Sequence, residues 1–232
     1  AGTQHGVAPL DGPPGRGAYP ANTIDYGPLL RAAFRNLDAW IADGIEPPPS
    51  RYGRIADGTL AARDTVAASL ATLPPPGPPP KLAVLHRLDF GPTAVQTRHT
   101  EQLPPTEGPA LTLHVSQVDA DGNEVAGVIH PDITAPLASY TGWNPRGARI
   151  GGQDQNLRTA GAAIRFPTTP QARVAANDPR TSIAERYPSK DAHLAAVRAA
   201  AEALASEGYL LREDIDGVLA TSSKRYDLYT SD

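Results

Sequence analysis

Cysteine and methionine are both absent from the 232 residues, and aromatic residues make up only 6%. Without cysteine there can be no disulfide, no thiolate metal site and no Cys nucleophile. Translation starts on methionine, so its absence raises the expectation of a processed or trimmed chain, or a piece of a longer product. Long apolar runs are lacking too, and no stretch approaches the ~18 residues that a membrane span needs. The opening AGTQHG carries neither a charged n-region nor an apolar h-region, so no signal peptide is visible. These absences leave the compartment unknown, with secretion and the periplasm both compatible. The net charge is only -4 and basic residues do not cluster along the chain, which gives no electrostatic case for nucleic acid.

What is present is proline and glycine, 25 and 21 residues, against 45 Leu, Ile, Val and Phe residues. That apolar share lies just under the ~20% that accompanies disorder when net charge is also high. The charge half of that signature is missing, and Pro plus Gly stays below the ~25–30% of low-complexity chains. Composition therefore points to a loop-rich folded region of one or two domains.

The clearest helix is expected over residues 25–43. Leu30, Phe34, Leu37 and Ile41 recur at helical spacing, Leu29, Ala33 and Trp40 widen the stripe, and Arg31, Arg35, Asp38 and Asp43 suit the wet face. Asp25 is a candidate cap, Pro28 fits the first turn, and Gly44 supplies a left-handed stop. Pro47-Pro48-Pro49 forces an extended exit, and PPPGPPP at 74–80 reads as a stiff bridge. A strand is expected over 82–90. Residues 111–118 and 124–130 read as a hairpin around Asp119-Ala120-Asp121-Gly122-Asn123, since Asp-Gly favours the positive φ of a tight turn. Residues 134–180 show little regular pattern. Ser182 with Glu185 fits a capping box, and Ser189 begins a longer helix with Leu194, Val197, Ala201 and Leu204 as its stripe. Glu213 to Leu219 adds a short helix, and residues 221–232 read as a frayed tail.

The six histidines, His5, His86, His99, His114, His130 and His193, include no His-x-x-x-His pair, so no metal centre is expected. DADGNE lacks the bidentate acid that closes a calcium loop. No phosphate loop and no dinucleotide fingerprint follows a strand, so no cofactor is expected. None of the ten serines sits in Gly-x-Ser-x-Gly, the strained turn that exposes a hydrolase nucleophile. The chain alone therefore holds no complete catalytic set. His5 stands apart, on a glycine-flanked loop in Gly-Thr-Gln-His-Gly, some twenty residues before the strong helix. In a triad whose chain order is serine, acid, histidine, the base sits on such a loop before the last helix. An ordinary loop histidine is the competing reading.

The strings GTQHG and YPANTIDYGPLLRAAFRNLDAWIADGIEPPPSRYGRIADGTL, then LDFGP, VSQVDADGNEVAGVIHPDITAPLASYTGWNPR and SIAERYPSKDAHLAAVRAAAEALASEGYLLREDID, cover roughly residues 1–220. Together they resemble the C-terminal region of the large bacterial alpha/beta hydrolase domain family proteins. The resemblance implies an α/β fold in which this chain is the C-terminal part of an α/β-hydrolase domain. Residues 1–46 would end the core with the catalytic histidine loop and the last helix. Residues 47–220 would form a loop-rich α+β extension with a β-hairpin and C-terminal helices. The implied function is serine ester hydrolysis, with His5 as general base and the serine and acid upstream. The implied partners are a small-molecule ester and the N-terminal hydrolase core; the chain alone would be inactive.

Tyr140 and Trp143, in the family-like Tyr-Thr-Gly-Trp-Asn, have two readings. They could line a substrate entrance, or the tryptophan could pin its loop to the body, which is the commoner use of a Trp beside Gly. Arg51, Tyr52 and Asp57 read as loop anchors. Two further functions compete with the hydrolase: a non-catalytic scaffold or interaction module in which His5 is incidental, and a surface binding protein using the proline-rich face.

Overall fold

A computed structural model describes residues 4–12, 15–75, 77–79, 84–157 and 159–231. The first element is α1, Gly27–Asp43, which ends at Gly44 in the left-handed region with φ 70°. Its start differs slightly from the expected cap. Tyr26 takes the cap position without a side-chain bond, and Asp25 instead accepts from Gly27 N–H at 2.8 Å. Of its residues only Pro28 and Ala32 are buried. The apolar stripe faces outward, with Phe34 70% and Ile41 78% exposed.

The strands are short and pair two by two. β1, Leu60–Ala62, leads directly into α2, Arg63–Leu70. β2, His86–Asp89, is followed by the single-turn α3, Ala94–Thr97, and by β3, Thr106–Ala110, with which β2 pairs antiparallel. The expected strand at 82–90 is β2, with residues 82 and 83 outside the described residues. β4, His114–Ser116, pairs antiparallel with β1 through Leu60↔Ser116 and Ala62↔His114.

The expected hairpin is therefore much shorter than its apolar runs. It survives as a Val118↔Glu124 bridge around the Asp-Gly turn, where Asp119 Oδ1 accepts from Asp121 and Asn123 N–H, each at 2.9 Å. Beyond that turn Asn123 becomes a bracket. Its amide donates to Ala138 O at 3.2 Å, and its oxygen accepts from Tyr140 N–H at 2.8 Å. The chain is thereby handed to the next layer instead of continuing as a strand.

That layer comprises α4, Pro131–Thr134, β5, Ala138–Tyr140, and β6, Ala163–Arg165, the last two antiparallel. A short α5, Pro170–Ala175, and α6, Ile183–Arg186, follow. Ser182 and Glu185 form the full capping box expected of them. Ser189 caps α7, Lys190–Ser206, whose buried side chains are His193, Val197, Ala201 and Leu204. The last helix is α8, Ile215–Thr230. It corrects the expectation of a frayed tail at 221–232: Ser222, Arg225 and Tyr229 are all buried. The main core joins Ile24, Leu137, Tyr140, Phe166 and Ile183 with Tyr229, so the C-terminal helix closes it. α7 and α8 pack on each other and form a second apolar cluster, in which Leu204, Leu210 and Ile215 meet.

Candidate functional site

The segment bearing His5 is fixed one residue earlier. Gln4 is 7% exposed, and both ends of its amide are engaged. Its nitrogen donates to Asn22 O at 2.5 Å, and its oxygen accepts from Gly161 N–H at 2.5 Å. Both partners belong to one hydrogen-bonded frame. Asn22 donates to Thr141 O at 3.1 Å and accepts from Ile24 N–H at 3.0 Å. Asn144 donates to Tyr19 O at 2.9 Å and to Gly161 O at 3.2 Å. Residue 161 must be glycine, because a Cβ there would stand 2.0 Å from Thr141 O. His5 itself is exposed, and its carbonyl accepts from Tyr26 Oη at 2.7 Å. The structure thus holds the backbone of His5 from both sides, against the frame and against the start of α1, and leaves the imidazole at the surface.

The two aromatic candidates part company. Tyr140 is 1% exposed within the main core. Burial, aided by the neighbouring Tyr229, pushes its phenol well above the ordinary range, so it stays neutral. Trp143 is half-buried and lines a recess of about 200 Å³ with Val66, Leu70, Pro79 and Val115. Its loop is tied down by Thr141 Oγ1, which donates to Trp143 O at 2.5 Å. Arg51 and Asp57 are anchors. Arg51 pairs with Glu207 at 2.7 Å and lies over the Tyr209 ring, and Asp57 accepts from Thr59 Oγ1 at 2.6 Å. Tyr52 is 63% exposed.

Sequence reasoning missed a buried ionic group beside α1. Asp132 Oδ2 meets Arg225 Nη1 at 2.5 Å, Ser222 donates to Asp132 Oδ1 at 2.5 Å, and Arg225 Nη2 reaches Thr23 O at 3.0 Å. His130 closes the group by accepting from Asp132 N–H at 3.2 Å. Ser, His and Asp are all present, but the serine bonds the carboxylate and is fully buried, with no imidazole on its hydroxyl. The arrangement orders α4 against α8 and cannot act as a nucleophile–base pair. Among the described residues no group of three or more His, Asp or Glu could hold a metal ion, and no helix is long and apolar enough to cross a membrane.

No curated protein and no solved structure matches the chain. A family model described as alpha/beta hydrolase domain matches residues 3–220, which takes in the His5 loop, α1, the frame around Gly161 and the start of α8. That match runs through nearly every element described above, from Gln4 onward, and this chain belongs to the alpha/beta hydrolase domain family.

Proposed function

We propose that the chain carries the general base of a serine ester hydrolase, with His5 in that role and the serine and acid on a segment outside these 232 residues. The observation that supports this reading is how the His5 loop is held. Gln4 is bonded at both ends of its amide and Tyr26 clamps the His5 carbonyl, while the ring faces outward. A general base needs that combination: a fixed backbone and an imidazole free to meet a hydroxyl. In the first half-reaction His5 takes the serine proton as the oxygen attacks the ester carbonyl, then returns it to the departing alcohol. In the second half-reaction it takes a proton from water and gives it back to the serine as the acyl group leaves. The acid holds the tautomer throughout.

The outward stripe of α1 supports the second half of the proposal. An apolar helix face some twenty residues after the histidine is what a hydrolase sheet would cover, and Phe34 and Ile41 are left uncovered here. The Trp143 recess is a candidate for the apolar part of the substrate; Tyr140 serves the core.

The test uses p-nitrophenyl acetate. The 232-residue chain alone should turn it over no faster than free imidazole. In a polypeptide that also carries the upstream segment, His5→Ala should lower kcat by about four orders of magnitude. Near-wild-type turnover of that variant removes His5 from the mechanism. A coding sequence with no Gly-x-Ser-x-Gly upstream of Ala1 favours the scaffold reading, in which the α1 stripe is an interaction face.

A further inference from the structure

Two glycine-rich loops, far apart in the sequence, meet at the surface and bring three arginines together. The first runs over residues 15–19 and the second over residues 145–153, and between them lies an open cleft of about 570 Å³. The loops are joined by backbone: Ala18 N–H donates to Pro145 O at 2.8 Å and Gly147 N–H donates to Arg16 O at 2.9 Å. So close an approach excludes side chains. A Cβ on Gly147 would lie 2.9 Å from Gly17 O, and one on Gly17 would strike the Asn144 amide.

Arg16, Arg146 and Arg149 line this cleft, and no carboxylate does. Among the described residues none of the three is ion-paired. Two are held in place by carbonyls. Arg146 Nε donates to Gly151 O at 2.8 Å and its Nη2 to Ile150 O at 3.2 Å, while Arg149 Nη2 reaches across to Gly15 O at 3.4 Å. In a chain of net charge -4, three unpaired guanidiniums in one concavity make a local field of the opposite sign. Guanidinium is the group that matches planar or tetrahedral oxyanions, and arginines already held by carbonyls lose less freedom on binding. The volume falls within the ~300–1,000 Å³ of small-molecule sites, so the cleft holds more than a bare ion.

We propose that this cleft is a binding site for a small molecule bearing a carboxylate or phosphate group. The site stands on its own geometry and does not depend on the role of His5.

Calorimetric titration of the 232-residue chain, with sodium phosphate in one arm and sodium succinate in the other at constant ionic strength, tests it and tells the two oxyanions apart. Saturable binding of at least one is expected. The double variant Arg16→Ala with Arg149→Ala should weaken that binding about tenfold or more, since each loses a charge-assisted contact. Both side chains are exposed, so the fold should be kept, as the thermal midpoint will show. Arg35→Ala, on the exposed face of α1 and outside the cleft, should bind as the wild type does. No saturable heat from either anion overturns the proposal, as does a folded double variant with unchanged affinity.

Discussion

Arg225 is 1% exposed, and a guanidinium so placed is tolerated only with a partner equally withdrawn from water, here Asp132 at 2%. Burial alone would raise the Asp132 carboxyl, but the Arg225 charge, with the hydrogen bond from Ser222, outweighs it and holds the group below the usual carboxylate range. The histidines respond in the opposite sense. Burial pushes the imidazoles of His130 and His193 down, against the pull of Asp132 on the first and of a contact with Ala135 O on the second. Both are therefore neutral when folded near pH 7, and they must take up protons that the unfolded chain binds near pH ~6.5. The sign follows. A depressed folded pKa stabilises the fold above the unfolded value, and that contribution is lost as pH falls through the folded one. Each histidine can remove up to about 1.4 kcal/mol per pH unit in that window. Asp132 adds its own loss only further down, below pH ~4. The thermal midpoint should be level between about pH 7 and 9, below the unfolded tyrosine range, and fall as the pH is lowered from about 6.5 towards 5. An unchanged midpoint over that range would show that neither ring is buried neutral.

α8 carries the same chemistry at the next scale and explains the largest departure from the sequence reading. Its buried positions are Ile215, Val218, Ser222, Arg225 and Tyr229, an alternating three-and-four spacing as regular as any in the chain. An apolar template stops at Leu219, because it rejects a serine and an arginine as inward-facing. Their burial becomes intelligible only with Asp132, some ninety residues earlier, supplying the counter-charge and the acceptor. Where a helix depended on local signals it was legible. The Gly44 stop, the Ser182–Glu185 box and the Ser189 cap all act within one turn of the element they bound. The hairpin was legible only at its turn, since the Asp119 side chain satisfies that turn locally. Its first arm was claimed by a distant partner, β1, and Asn123 at the end of the turn is bonded to β5. His5 could be marked from its glycine-flanked loop, but the Gln4 and Tyr26 contacts that fix it needed the fold. Arg225→Ala should cost about 3–5 kcal/mol in urea unfolding, because it strands Asp132 as an unpaired buried charge. Lys224→Ala, on the exposed side of the same helix, should stay within about 0.5 kcal/mol of wild type. Equal effects at the two positions would mean that α8 does not close the core.

At the scale of the molecule the sheets among the described residues are three antiparallel pairs, and the main core is completed by α8 instead of by α1. α1 is joined to the body along one side: Ala32 is buried, Asn36 donates to Gly208 O at 2.8 Å, and Arg31 pairs with Asp214 at 2.7 Å. The clearest apolar stripe in the sequence is therefore one this fold leaves largely uncovered, with only Leu29 of it packed on the second apolar cluster. Leu30, Phe34, Leu37, Trp40 and Ile41 remain exposed along more than two turns, and such a surface favours contact with another apolar one. The proposed occupant is the hydrolase core, and the prediction separates it from a role within the chain. Phe34→Lys with Ile41→Lys should leave the thermal midpoint of the 232-residue chain nearly unchanged, because neither side chain is buried here. The same pair should abolish concentration-dependent self-association in light scattering, which the wild-type stripe is expected to drive. In a polypeptide carrying the upstream segment it should instead lower stability, since two charges would be forced beneath the sheet. Unfolding of the isolated chain by these substitutions would place the stripe in its own core; indifference in both settings would leave the stripe without an occupant and remove one of the two supports for the hydrolase assembly.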